Sequence, residues 1–220
     1  MSKKIKNEWI TDIVLIDIIN FSCLKTEEQL EIINFLTKSY ERIIKKMLFS
    51  SNMPLNKFIL GSIPTGDGFY CILNPKIKGY GTILALSFNH ISEYISTKYP
   101  YFEGLRIAVH TGRICQFTDI LGNKNYIGDG LNDCARYLEL KDYSISTVMI
   151  SDTAYKSLML FLNMHKEFFT ILTQREFKYS KPYEFEDKHG NKKIGYLVWL
   201  RKTGIINPPN INFSSIIDTN

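Results

Sequence analysis

A chain of 220 residues and 25.5 kDa is long enough for one full domain that buries roughly 70% of its unfolded surface, and too short for two catalytic domains side by side. With 45% hydrophobic, 22% charged and 13% aromatic residues, it is neither disordered nor fibrous. The 27 Lys+Arg against 22 Asp+Glu suit an anionic partner, but they are scattered and do not indicate nucleic acid.

Cys23, Cys71, Cys115 and Cys134 lie far apart with no Cys-x-x-Cys pair, so free thiols are expected rather than a disulfide framework or zinc. The most apolar early run, ITDIVLIDIINFSCL, is broken by Asp12 and Asp17, and no run reaches the roughly 18–20 residues of a membrane span. The first residues lack the apolar core and cleavage site of a secretion signal. A cytoplasmic protein with no membrane partner is the expectation.

In chain order, the β-branched run Ile13–Ile19 predicts a central strand. Asp17 inside it needs water, a partner or a metal. Thr26 with Glu28 and Gln29 opens a helix whose apolar stripe runs to about Leu48. NKFILGSIPTGDGFYCILNP reads as a hairpin with Thr65-Gly66-Asp67-Gly68 at its tip. A helix follows over about 80–97, then a strand at 105–110, a turn at Thr111-Gly112 and a short strand at 114–117. IGDGLNDCARYLEL turns into a third helix. Residues 146–150 read as a strand, 152–162 as a helix and 195–200 as a closing strand.

The order β-α-β-β-α-β predicts an α+β, ferredoxin-like sheet with helices on one face, extended by C-terminal helix and strands. Residues 1–11 read as an N-terminal segment and 12–200 as the domain. Residues 201–220 read as a tail, since Pro208 and Pro209 oppose regular structure.

Asp17 and Asp67 belong to segments expected to pair, and paired strands lie about 4.8 Å apart, so the two carboxylates can face one ligand. Mg2+ or Mn2+ between them would bridge to phosphate oxygens. Read singly, Asp67 is also a good turn former and Asp17 a good strand-end ion pair. Asn132 and Arg136, four residues apart, share one helix face.

Several blocks carry a resemblance. VLIDIINFS (14–22), PTGDGFYCIL (64–73), LRIAVHTGRI (105–114), YIGDGLNDCARYLE (126–139) and VMISDTAY (148–155) resemble, in order and separation, the signature blocks of class III nucleotidyl cyclase domains. The resemblance implies a ferredoxin-like core, a head-to-tail homodimer with composite active sites, a nucleoside triphosphate substrate and two Mg2+ or Mn2+ ions per site. It implies that Asp17 and Asp67 are metal carboxylates and that Ile18 adds a main-chain carbonyl. Asn20, Phe21, Ser22 and Cys23 match the segment at the triphosphate. Asn132 matches the residue that orients the ribose, and Arg136 the one that stabilises the pentavalent transition state.

Two positions depart from the purine enzymes of that family. Ile63 stands where a base-reading Lys or Glu is common, and an aliphatic chain makes no hydrogen bond. Asn125 occupies the second base-reading position, commonly Asp or Cys, and its amide both donates and accepts. Lys57 and Tyr126 can also shape the pocket. The departure, with a chain holding little beyond the cyclase blocks, resembles the pyrimidine cyclases of bacterial antiphage signalling, whose cyclic UMP or cyclic CMP activates a separate effector. Adenylate or guanylate cyclase is the alternative, and an inactive nucleotide-binding module a further one. For the family's late triphosphate lysine, Lys178 and Lys181 are candidates. Arg106 and Arg113 read equally as steering groups and as solvent or dimer contacts, and His110 as structural.

Overall fold

The computed structural model describes residues 7–48, 55–139, 147–187 and 189–202. β1 (Glu8–Ile18) leads through a 3-10 turn (Phe21–Cys23) into α1 (Thr26–Leu48). A short α2 (Leu55–Phe58) precedes the hairpin of β2 (Ile59–Pro64) and β3 (Gly68–Leu73), and α3 (Tyr80–Lys98) returns the chain to β4 (Leu105–Thr118). β5 (Lys124–Ile127) folds back on β4 and delivers α4 (Asp129–Leu138). Then come β6 (Val148–Ser151), α5 (Asp152–Met164), α6 (Lys166–Gln174), β7 (Phe177–Tyr179), β8 (Tyr183–Glu186) and β9 (Lys192–Leu200).

The sheet runs β2-β3-β1-β4-β6-β9-β7, with β5 on β4 and β8 on β9. Its first four strands are antiparallel in the order β2-β3-β1-β4 and joined by α1 and α3, which is the expected ferredoxin-like core. β1 takes in residues 8–11, which pair with Gly112–Cys115 of β4. Residues 1–6, Ser146 and the tail beyond Lys202 lie outside the described residues. Among the described residues no helix is long and apolar enough to cross a membrane.

From Ile13 to Ile18 β1 is rich in β-branched residues because both of its faces are covered there. Val14, Ile16 and Ile18 pack with residues of α1, α3 and α5 on one side. Ile13 and Leu15 meet Leu131, Cys134, Tyr137 and Leu138 of α4 on the other. Thus α4 departs from the one-sided helix layer read from the sequence. Its buried residues recur at three- and four-residue steps, which turns Asn132, Asp133 and Arg136 away from the sheet.

β4 is also one 14-residue strand, not two strands with a turn at Thr111-Gly112. Gly112 serves a close approach: a Cβ there would stand 2.4 Å from His110 Nε2 and 2.8 Å from Gly130 Cα in the first turn of α4. Thr111 hydroxyl donates to Asp12 Oδ1 at 2.6 Å. Asp12 Oδ2 accepts the N–H groups of Gly79 (2.6 Å) and Gly81 (2.9 Å) at the start of α3. Burial pushes this carboxyl up and the three donors oppose it. Asp12→Ala strands all three donors, so a loss of about 3 kcal/mol or more is expected in urea unfolding.

His110 is buried beside Tyr137, with Nδ1 2.9 Å from Ser151 Oγ. Burial pushes its imidazole down to about 4, against a smaller upward pull from Asp133. Between pH 6.5 and 4 the unfolded chain therefore binds a proton that the folded chain refuses. Stability falls as pH falls through this window, by about 3 kcal/mol in total. Urea midpoints at pH 7 and pH 4.5 check this: His110→Gln is expected to lose markedly less stability on acidification than the wild type.

Candidate active site

The chemistry-bearing residues gather on the sheet face that carries α4. Asp17, near the end of β1, is in register with Gly68 of β3 and Arg106 of β4. The tip of the β2–β3 hairpin is a tight turn: Thr65 N–H donates to Gly68 C=O at 3.0 Å, and Gly66 adopts φ +97°. Ile18 N–H donates to Asp67 C=O at 2.9 Å, which ties the turn to the residue after Asp17. The two carboxylates therefore share one corner. Burial pushes the Asp17 carboxyl up, Arg106 opposes this, and the neighbouring Asp67 carboxylate adds to the upward shift.

Asp17 is 9% exposed at its side chain, and Asp67 is exposed. One buried and one open carboxylate suit a hard divalent cation that keeps water or substrate oxygens as its remaining ligands. Among the described residues no group of three or more His, Cys, Asp and Glu side chains is placed to hold a metal ion by itself; an Mg2+ or Mn2+ ion here would take its remaining ligands from phosphate and water. Ile18 brings its peptide to the same corner.

Arg106 is the residue whose role the sequence left open. Its Nε (2.8 Å) and Nη2 (2.5 Å) both donate to Asp17 Oδ2. Strand alternation holds the signal, because Arg106 and Ala108 of the apolar LRIAV run face α4, as Asp17 does. Arg113 pairs instead with Asp129 and Glu8 at the surface.

Immediately after β1, Ile19 N–H bonds Gly104 C=O and the chain turns through Asn20 in the left-handed region. The Asn20 amide donates to Glu103 at 2.7 Å. Cys23 N–H closes the turn on Asn20 C=O; Ser22 and Cys23 are exposed, while Phe21 packs on the core. This segment stands beside the carboxylate corner.

Asn132 and Arg136 share the outward face of α4, Asn132 exposed and the Arg136 side chain 23% exposed. Arg136 pairs with Asp133 (2.6 Å) and with Asp187 (3.4 Å), and Lys193 also pairs with Asp133 (2.9 Å). Asp187 and Lys193 belong to the β8–β9 hairpin. β9 lies three strand spacings from β1, about 14 Å of sheet. Asp17 and the Arg136 group thus sit on opposite flanks of α4 in one chain. Lys178 is exposed on β7 opposite Trp199, about 20 Å along β9 from Lys193, and Lys181 is exposed in the turn after β7. The cation beside Arg136 is Lys193, which sequence reasoning missed because a helix and a hairpin some 60 residues apart build the contact.

Ile63 of β2 pairs with Tyr70 and packs on the apolar cluster under α4. Asn125 lies on β5, its Oδ1 accepting Tyr126 N–H at 2.8 Å. Tyr126 links the two strands: its hydroxyl donates to Leu60 C=O at 2.7 Å, and its ring fills the place of a side chain at Gly61, where a Cβ would approach within 2.3 Å. Lys57 lies on α2, before the opposite end of β2.

No family model matches the sequence, and no curated protein does. Solved structures match the fold. The chain is similar to the guanylate cyclase domain of a protein from Catenaria anguillulae in complex with GTP, at 19% identity and TM-score 0.61 over 89% of this chain and 100% of that one. It is similar to the catalytic core of a rhodopsin-guanylyl cyclase with converted specificity in complex with ATPαS, at 19% identity and TM-score 0.62 over 89% and 99%. A bacterial light-regulated adenylyl cyclase matches at 14% identity and TM-score 0.60, over 96% of this chain and 57% of that one. With its β2-β3-β1-β4 sheet, its α4 on the face opposite α1 and α3, and these neighbours, the chain has the fold of the class III nucleotidyl cyclase catalytic domain.

Proposed function

We propose that this chain is a nucleotide cyclase, converting a nucleoside triphosphate to its 3′,5′-cyclic monophosphate and pyrophosphate. The observation that carries the reading is the meeting of Asp17 and Asp67 at one corner of the sheet face that also bears Asn132 and Arg136. Mg2+ or Mn2+, two ions per site, would supply activation of the ribose 3′-hydroxyl and charge for the phosphates when bound. Asp17, Asp67 and the Ile18 carbonyl would hold these ions, and the turn at 20–23 receives the phosphate chain. Asn132 orients the ribose, and Arg136 donates to the α-phosphate oxygens as negative charge builds there. The 3′-oxygen forms its bond to the α-phosphorus as the bond to the bridging oxygen breaks. The hydroxyl proton passes to solvent, and pyrophosphate leaves.

Asp17 on β1 and the Arg136 group facing β9 lie on opposite flanks of α4, three strand spacings or about 14 Å of sheet apart, which is wide for one α-phosphate in a single chain. A head-to-tail homodimer, in which each site takes the carboxylates of one copy and α4 of the other, removes the difficulty.

The base is a pyrimidine, UTP or CTP. Ile63 offers no hydrogen bond where a purine enzyme reads its base, and Tyr126 closes the adjoining space against Gly61. Cyclic UMP or cyclic CMP then acts as a messenger on a separate effector in antiviral defence. A purine cyclase is the second reading, favoured by the GTP and ATPαS bound in the similar structures.

Chromatography of reactions with Mn2+ and one triphosphate at a time decides between them, with Asp17→Ala as control. Cyclic UMP or cyclic CMP with pyrophosphate supports the proposal. A cyclic purine keeps the mechanism and overturns the base assignment, and no product with any triphosphate rejects the enzyme. A cyclic-nucleotide-binding protein encoded next to this chain would support the defence role, whereas a sensory regulator there would count against it.

A further inference from the structure

The charges around Arg136 form a closed group that the carboxylate corner does not require. Asp133 Oδ1 accepts from both Arg136 Nη1 and Lys193 Nζ. On the far edge, Arg136 Nε faces Asp187 Oδ2. The Asp187 side chain is 1% exposed and fixed by its own hairpin: Oδ1 accepts the N–H groups of His189 (2.9 Å) and Asn191 (3.0 Å), and the Asn191 amide reaches both oxygens at 3.2 Å. Burial alone would push this carboxyl up, but those donors and Arg136 hold it down at about 2, so it is a permanent anion.

The guanidinium is thus gripped at Nε and Nη1, while Nη2 has no protein partner among the described residues. Lys193 spends one donor on Asp133 and lines a 430 Å³ cleft with Lys192, Phe185, Ile194 and the carboxylates of Glu184 and Glu186. Two cations and two carboxylates sum to no net charge, so this arrangement is poor at attracting an anion from a distance. It is well suited to presenting donors at fixed positions, because a long, flexible arginine has lost its rotamer freedom beforehand.

We infer that Asp133 is a positioning residue: by binding Arg136 and Lys193 through one oxygen, it sets them as a rigid pair of donors for the phosphate chain of the substrate. The inference rests on the cyclase reading and deepens it. It also separates two effects of removing Asp133. Loss of a negative charge would by itself strengthen phosphate binding, whereas loss of positioning slows the chemical step.

The test compares Asp133→Ala and the milder Asp133→Asn with the wild type in kcat, KM and the 15N–1H resonances of the Arg136 Nη groups, where Asp133 binds. For Asp133→Ala, kcat is expected to fall roughly 10- to 100-fold with KM unchanged or lower, and the Arg136 Nη–H signals to broaden as the Nη1 contact is released. Asp133→Asn keeps one acceptor and falls between. Unchanged kcat or an unchanged Nη–H signal in Asp133→Ala would each overturn the inference. Should the wild type yield no cyclic product, the cyclase reading fails separately, and the Nη–H signals alone still decide whether Asp133 holds Arg136.

Discussion

Asp17→Ala and Asp67→Ala are each expected to bring cyclic-nucleotide formation down roughly 1000-fold or more, because either change removes half of the protein charge that holds the divalent ions. The two differ in what they do to the fold. Asp67 is exposed at a turn, and its loss leaves stability within about 0.5 kcal/mol. Asp17 is buried, and burial pushes its carboxyl up, so the folded chain bears a cost for keeping it charged. Asp17→Ala relieves that cost and frees Arg106, whose side chain is 42% exposed and can take up water. Thermal unfolding of Asp17→Ala close to the wild type, beside abolished turnover, is the expected pattern. Normal turnover in either variant would remove that carboxylate from the chemistry.

The second large effect is one of rescue. Asp17→Ala and Arg136→Ala are each expected to be inactive alone, yet a mixture should recover activity if a site draws on two copies. A mixed dimer holds one site with both lesions and one with neither, so an equal mixture that re-pairs at random reaches about a quarter of wild-type turnover. Assaying the two purified variants separately and after mixing, at one total concentration, checks this. Activity that stays at background after demonstrated subunit exchange would place both residues in a single chain's site, against the sheet geometry.

Much of this architecture is legible in the sequence because it follows from periodicity. The apolar run of β1, the stripe of α1 and the three- and four-residue spacing in α4 each need only their own segment to be read. Asp17 betrays itself as a charge in an apolar strand, and Asp67 as an acid in a glycine turn beside it. What is not legible depends on contacts between distant segments. Thr111-Gly112 reads as a turn, yet the glycine is there because α4 crosses that strand. Arg106 is an ordinary strand residue until its register opposite Asp17 is known. The sharing of Asp133 by Arg136 and Lys193 joins a helix to a hairpin far along the chain, and no local pattern announces it. β7 and β8 are too short and exposed to carry a period.

The distance across the sheet between the carboxylate corner and the Arg136 group has a consequence for dosage. If neither half-site works without a second copy, the output of each chain depends on how many chains surround it. Well below the dissociation constant of the pair, the number of working sites grows as the square of protein concentration, and above it only in proportion. Scarce chains would then be almost silent and abundant ones fully productive, a threshold set by the assembly equilibrium itself.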